Sequence, residues 1–404
     1  MKEKNTILCV SHHGSPKTGG HSRFDRLVMG LANSGKNVIW ISPCRSESFC
    51  NRNISFIGKN NKGYFGKKYA HFRLLLFAIR HVKALVKIRE NISYVVAFGE
   101  TNLFAAIFIS KLLHVPISIG VRSNLTKRLH IILAEKKGIK KFAFGIRNKG
   151  YIYLLKKMYP LVDQIVVQTS NSKAEFSQSF SISQDKILVV ENNVPLISDS
   201  TFPPRPIAIQ PRKMLFVGNA SPIKGLDVLL SAIPKLSSKV SAINEITIVG
   251  VQEDFLMNAT QGLSTDIRIT IIPWCSDVLN LMQSYDLLVV PSREDQFPNV
   301  VLEALAVGLP VIGSAVDGIR YILDDDWVLF SPGDGFDLVR CLQRVSTRDG
   351  YAKASSIAKT RLKKFSFDWE KEYIATLANV EEGSSELFKS DQTRTLRHKS
   401  AHHS

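Results

Sequence analysis

The chain has 404 residues, with 53 Lys+Arg against 35 Asp+Glu and a net charge of +18. Its 45% apolar and 22% charged content excludes wholesale disorder, collagen and coiled coil, and its length predicts two or more domains with cores of their own. The charge is lopsided: residues 1–200 carry 31 Lys+Arg and 11 Asp+Glu, whereas residues 201–404 carry 22 and 24. A basic half joined to a nearly neutral half implies one domain that faces something anionic.

Thr6–Val10 reads as a short buried strand ending in the glycine-rich run SHHGSPKTGGHS. A helix over Phe24–Asn33 follows, stopped by Gly35, and then a strand over Asn37–Ser42. Further strands are predicted at Tyr94–Phe98, Ile117–Val121, Gln164–Gln168 and Lys186–Val190, with helical stretches between them. Leu103–Val121 is the best membrane-span candidate, but Lys111, His114 and Pro116 break it, and a span needs about 20 nearly unbroken apolar residues. It reads instead as a buried helix followed by a strand.

Between Pro195 and Pro211 five prolines stop the pattern and mark a linker, placed at 201–212. A second series begins beyond it, with strands at Met214–Val217, Ile246–Val249, Ile267–Ile272, Leu287–Val290 and Val311–Ser314. This βαβ rhythm predicts an α/β protein of two doubly wound domains, residues 1–200 and 213–365, with ligands at the carboxyl ends of parallel strands. Residues 381–404 lose apolar content and read as a disordered tail.

Cys9, Cys44, Cys50, Cys275 and Cys341 are scattered, so neither a disulfide framework nor a zinc site is expected. Ile7–Val10 is too short for the core of a signal peptide. The expected location is cytoplasmic.

The most specific signal is the run from Leu287 to Ile312, a strand, a polar loop, a helix capped by Asn299 or a neighbour, and a second strand. A helix N-terminus at a strand's carboxyl end offers N–H groups and positive dipole to a phosphate. Asp295 stands before that helix, placed for a sugar hydroxyl, and Glu303 about one turn inside, placed for a ribose diol. From spacing alone, loop solvation for Asp295 and a dipole partner for Glu303 explain the two acids equally well.

In this run the chain resembles glycosyltransferase family 4, the retaining GT-B enzymes that use nucleotide sugars. The family's Glu-x7-Glu motif aligns with Asp295 and Glu303. Its FVGR-x-x-x-x-KG segment aligns with Phe216–Gly225, its Gly-Gly-Ile-x-Glu turn with Asp317–Tyr321, and its Gly-Gly loop with Gly19 and Gly20. Phe365-Ser-Phe-Asp-Trp369 is similar to the start of the helix that crosses back to the N-terminal domain, expected here over 366–380. The resemblance implies two Rossmann-like domains facing across a cleft, with a basic acceptor domain and a nucleotide-sugar domain. It implies no metal and no cofactor.

Carried over residue by residue, Lys224, Asp295 and Glu303 are the expected catalytic set. Gly19, Gly20, Gly218, Asn219, Lys224, Phe297, Pro298, Asn299, Val300 and Glu303 are the expected donor contacts. Three positions depart from the family pattern. The first acid is Asp295, with Glu294 beside it as an alternative. Asn219 replaces the phosphate-binding Arg, a loss that Arg293 or a basic side chain of the N-terminal domain could offset, and Tyr321 replaces a frequent Glu. The leaving nucleoside diphosphate requires stabilised negative charge, which Lys224, Gly20 and the helix N-terminus can supply without a metal. Asp324-Asp-Asp326 reads as loop solvation.

His12, His13 and His21 follow the first strand, and Arg122 ends another; all four are candidate sugar or acceptor contacts. Trp274 follows a strand of the second half, where base stacking and core packing stand level. The basic charge concentrates in Lys67–Arg89 and Lys127–Lys157, where cations interleave with apolar and aromatic residues. That pattern suits an anionic membrane surface, and no nucleic-acid motif accompanies it. The expected partners are a UDP- or GDP-sugar and a lipid-linked oligosaccharide acceptor at the inner face of the cell membrane. The competing reading is a non-catalytic basic membrane- or nucleic-acid-binding protein with a degenerate GT-B fold.

Overall fold

The protein is described here as a computed structural model covering residues 5–12, 19–43, 51–58, 70–194, 210–240, 242–252, 254 and 265–377, without the side chains of 19–22 and 237–239. His13, Cys44, Cys50, residues 195–209 of the proline-rich segment and the tail 381–404 lie outside the described residues. The chain divides into two compact units, one of residues 1–122, 150–191 and 368–404, the other of residues 123–149 and 192–367.

The first unit holds a seven-stranded parallel sheet in the order β3-β2-β1-β4-β5-β6-β7. Its strands are β1 (Thr6–Val10), β2 (Asn37–Ile41), β3 (Ile54–Ile57), β4 (Ile92–Phe98), β5 (Ile117–Gly120), β6 (Gln164–Val167) and β7 (Ile187–Val189). Its helices are α1 (Gly19–Asn33), α2 (Ala70–Arg80), α3 (Val82–Lys87), α4 (Glu100–Leu113) and α7 (Ser170–Phe180). Between β5 and β6 the chain forms α5 (Leu125–Ala134) and α6 (Gly138–Met158). The central strands β1, β5 and β6 are buried along their whole length, as helices on both faces of a parallel sheet require, while the edge strand β3 is only partly covered. The stretch Leu103–Val121 is therefore the end of a buried helix and an inner strand. Among the described residues no helix is long and apolar enough to cross a membrane.

The second unit holds a six-stranded parallel sheet, β10-β9-β8-β11-β12-β13. Its strands are β8 (Lys213–Val217), β9 (Glu245–Val249), β10 (Arg268–Ile272), β11 (Leu287–Val290), β12 (Val311–Ser314) and β13 (Leu329–Phe330). Its helices are α8 (Leu226–Lys239), α9 (Val278–Met282), α10 (Asn299–Ala306), α11 (Asp317–Leu323), α12 (Gly335–Val345) and α13 (Arg348–Lys364). In both sheets the order reverses beside the first strand of the unit, which puts a topological switch point between β1 and β4 and between β8 and β11.

Two edge strands, β3 and β13, escape the sequence pattern: Ile54–Ile57 is only partly buried and carries no continuous apolar run, and β13 is two residues long. Residues 369–377 are helical and belong to the first unit. There Glu370 takes a two-pronged ion pair from Arg26, at 2.5 and 2.7 Å, and the Trp369 ring lies under both Arg23 and Arg26. This segment is anchored by charge as well as by apolar burial.

Candidate functional site

The carboxyl ends of β8, β9, β11 and β12 converge in the second unit. Gly250 leaves β9 with φ 95°, and a Cβ there would lie 2.9 Å from the Gly218 carbonyl oxygen. The two strand ends are thus packed backbone to backbone.

After Gly218 the chain turns tightly. The Asn219 side chain accepts the Ser221 N–H at 3.0 Å, and Ser221 Oγ accepts the Ile223 N–H at 3.3 Å. Asn219 is therefore committed to shaping the turn, which leaves Lys224 as the cation this segment presents. Gly225 follows with φ 67°, and a Cβ there would sit 1.8 Å from the Pro291 carbonyl oxygen. Only glycine allows this approach.

The loop after β11 is strapped to that turn. Arg293 donates its N–H to the Ile223 carbonyl at 2.8 Å, and its guanidinium reaches the Pro222 carbonyl and both Asp227 oxygens. Burial pushes the Asp227 carboxyl up, but the Arg293 fork and backbone N–H groups outweigh it and hold it below its usual value. Arg293 is thus engaged in tying two loops together and does not stand in for the missing arginine at position 219.

Beyond Arg293, the Lys224 ammonium meets Asp295 at 2.6 Å in a partly buried pair. Two of the three residues expected to be catalytic are in direct contact. Glu294 beside them is only 6% exposed, and its Oε1 accepts the Asn124 N–H at 3.2 Å. Burial, reinforced by the Asp295 charge, pushes its carboxyl up to about 7 against the pull of the Asn124 N–H, Arg128 and Lys224.

Helix α5 supplies that contact. Asn124 caps it by accepting the Lys127 N–H at 3.0 Å, and Lys127 pairs with Asp317 at 2.8 Å. An asparagine before a helix is a readable cap signal; its reach to an acid 170 residues later is not. Gly318 completes the corner: its N–H bonds the Asp295 carbonyl at 3.1 Å, and a Cβ there would lie 2.2 Å from the Gln296 backbone.

The helix expected at the phosphate is capped, within the predicted bounds, by the neighbour of Asn299. Pro298 is the N-cap, with no side-chain hydrogen bond, and Asn299 is the first helical residue. Proline's fixed φ starts the helix without a capping oxygen, so the opening turn carries no side-chain acceptor. Glu303 lies half-buried one turn further. The Phe297 ring is packed against Tyr321 and Phe365, so only its backbone faces the loop. Ser292 Oγ and Gln296 Oε1 are buried here without a protein partner, and the sequence gives no signal for either.

Other candidates are accounted for locally. Asp324 pairs with Arg361, Asp325 caps Trp327 N–H, and Asp326 pairs with Arg320. Among the described residues no group of three His, Cys, Asp or Glu side chains is placed to hold a metal ion. Trp274 is 65% exposed, which removes the core-packing alternative. His114 takes the left-handed cap of α4, a structural post.

In the first unit, the His12 N–H and Nδ1 both meet Asn102 Oδ1, at 3.0 and 2.8 Å. Burial lowers the His12 pKa more than this bond raises it. Arg122 lies over the Phe98 ring at the end of β5, and burial brings its pKa down to about 10, with Tyr373 opposing and Arg26 adding to the fall. Gly19 and Gly20 open α1, and His21 follows them in its first turn. These residues, the expected donor contacts Gly19 and Gly20 among them, lie in the first unit; the other expected donor contacts, from Gly218 to Glu303, lie in the second.

Residues 18–196 match the family model for Glycosyltransferase Family 4, and residues 211–348 match that for Glycosyl transferases group 1. The chain belongs to the group 1, family 4 glycosyltransferases. An uncharacterized glycosyltransferase of Haemophilus influenzae is 24% identical over 319 residues, covering 76% of this chain and 80% of that one. One from Methanocaldococcus jannaschii is 29% identical over 172 residues, 40% of this chain and 44% of the relative, so the match spans less than half of that protein. Among solved structures, Anabaena HepE in complex with UDP-glucose superposes with a TM-score of 0.65 at 15% identity, covering 95% of this chain and 99% of that one. The family's GT-B fold is this chain's fold.

Proposed function

We propose that the protein is a retaining glycosyltransferase that moves a sugar from a UDP- or GDP-sugar to a lipid-linked oligosaccharide acceptor in surface polysaccharide synthesis. The acceptor would be met at the cytoplasmic face of the cell membrane. The observation that carries the reading is the Lys224–Asp295 pair at 2.6 Å, set between the β8 turn and the side-chain-uncapped start of α10. Binding of UDP-glucose by HepE, a protein of the same fold, supports the donor class.

The chemistry follows from charge. As the bond from the anomeric carbon to the β-phosphate oxygen breaks, its electrons go to the phosphate, and that negative charge needs a cation and N–H donors. Lys224 and the backbone at 298–300 supply them. When Lys224 turns to the diphosphate, Asp295 is released to a donor sugar hydroxyl. Glu303 accepts from the ribose, and Gly218 and Asn219 shape the turn against the donor.

The acceptor hydroxyl attacks the same face that the phosphate leaves, forming the new C–O bond, and its proton passes to the departing phosphate oxygen. No protein nucleophile is required. His12, His13, His21 and Arg122, with Gly19 and Gly20 at the α1 start, are the proposed contacts of the first unit. Thermal-shift screening of nucleotide sugars tests the donor, because a ligand that binds the folded state raises its melting temperature by mass action. Product analysis by mass spectrometry tests transfer. Absence of both stabilisation and turnover with every UDP- and GDP-sugar would refute the reading.

A further inference from the structure

Residues 70–89 contain no Asp or Glu and carry five cations: Arg73, Arg80, Lys83, Lys87 and Arg89. Helix α2 buries Ala70, Leu74 and Ala78 at four-residue spacing, which leaves the opposite face outward. On that face Phe72, Leu76 and Ile79 are 50%, 55% and 46% exposed, at the i, i+4, i+7 spacing of a single stripe. Val86 on α3 is exposed as well, with Lys83 and Lys87 exposed beside it. Three large apolar side chains half in water on one helix are unusual on a soluble surface and mark a contact site.

The stripe is rigidly mounted. The Phe72 ring stacks on Phe104 of α4 at 6.3 Å, and His71 next to it lies 5.6 Å from Tyr151 of α6. Beyond Tyr151, α6 adds exposed Tyr153 and Leu154 together with Lys156 and Lys157, again without an acid. The patch is thus apolar along its crest and cationic along its flanks. A protein partner of ordinary composition would leave those cations without complement, whereas an anionic lipid surface takes both features at once: acyl chains for the crest, headgroup phosphates for the flanks.

We infer that the α2–α3 face, continued by the second half of α6, docks the protein on an anionic lipid bilayer. The inference deepens the proposed membrane-face acceptor but is tested without it. The full chain would be sedimented with vesicles of phosphatidylcholine alone and of phosphatidylcholine mixed with phosphatidylglycerol, at low and high salt. Binding is expected to the mixed vesicles only, and to weaken with salt.

Phe72→Ser/Leu76→Ser/Ile79→Ser and Arg73→Glu/Arg80→Glu/Lys83→Glu should each lower that binding about tenfold or more, given the contribution of each near-surface cation and buried methylene. All six substituted positions are exposed and, of the three apolar ones, Phe72 also packs on buried Phe104, so melting temperatures report folding. A Leu76→Ser/Ile79→Ser variant, which spares that stack, should lose binding in the same direction. Equal binding to both vesicle types, no binding to either, or undiminished binding by both variants would overturn the inference. So would a dimer that the apolar variant dissolves, since a second copy would then be the occupant. Vesicle binding without nucleotide-sugar binding would refute the transferase reading and leave this one standing; the reverse result would do the opposite.

Discussion

Glu294→Gln isolates the most perturbed acid of the candidate site. In the fold this carboxyl is held neutral up to about 7, against 4.5 for the ordinary side chain, chiefly by burial. Below pH 4.5 the group is protonated in both folded and unfolded chains. Between pH 4.5 and about 7 the unfolded chain releases the proton and the folded chain keeps it, so stability falls as pH rises. Above about 7 the full penalty is present, about 3 kcal/mol at 1.36 kcal/mol per unit. Glutamine keeps an oxygen for the Asn124 N–H and carries no charge.

The variant should match the wild type near pH 4.5 and become the more stable of the two by pH 8, by up to about 3 kcal/mol. Urea unfolding of both proteins at intervals across that range measures the difference. Asp25, whose carboxyl burial also raises to about 7, tilts both curves alike and cancels in the subtraction. Parallel curves for the two proteins from pH 4.5 to 8 would refute the burial argument.

The other predictions concern the same loops and the donor. Lys224→Ala should cut turnover at least about tenfold, because the leaving diphosphate loses its cation; near-normal kcat with any accepted donor would refute that role. Glu303→Ala should weaken nucleotide binding while the fold persists, read by calorimetric titration with the nucleoside diphosphate. Gly225→Ala forces a side chain at φ 67° onto the Pro291 carbonyl and should destabilise by about 3 kcal/mol, combining the left-handed strain with overpacking. A double-mutant cycle on Arg293 and Asp227 should show coupling of about 1 kcal/mol or more, since the guanidinium meets the carboxylate through both nitrogens.

Much of the architecture was legible from apolar runs. The inner strands Thr6–Val10, Leu287–Val290 and Val311–Ser314 fall where the sequence predicts them, because a strand buried on both faces reads as a nearly continuous apolar run. Edge strands such as Ile54–Ile57 carry no such run, and of the two readings of the helix cap, Asn299 or a neighbour, it is the neighbour Pro298 that serves, because a capping side chain is a preference, not a necessity. Lys224, Asp295 and Glu303 were legible as candidates through the family motif, and their types suit the chemistry.

The pairing of those residues was decided by tertiary structure. Lys224 and Asp295 stand 71 residues apart, and their contact depends on β8 and β11 lying side by side in the sheet. In the sequence Arg293 is a cation without an assigned partner and Glu294 a neighbour of the motif; the fold ties Arg293 to Asp227 and, through burial, sets the charge of Glu294. The lopsided charge likewise located a basic half but not a surface. Residue type and spacing determine what a segment can do on its own. Ion pairing, burial and the exposed crest of α2 arise only when distant segments exclude water from one another, because they depend on distance and solvent access, which composition does not carry.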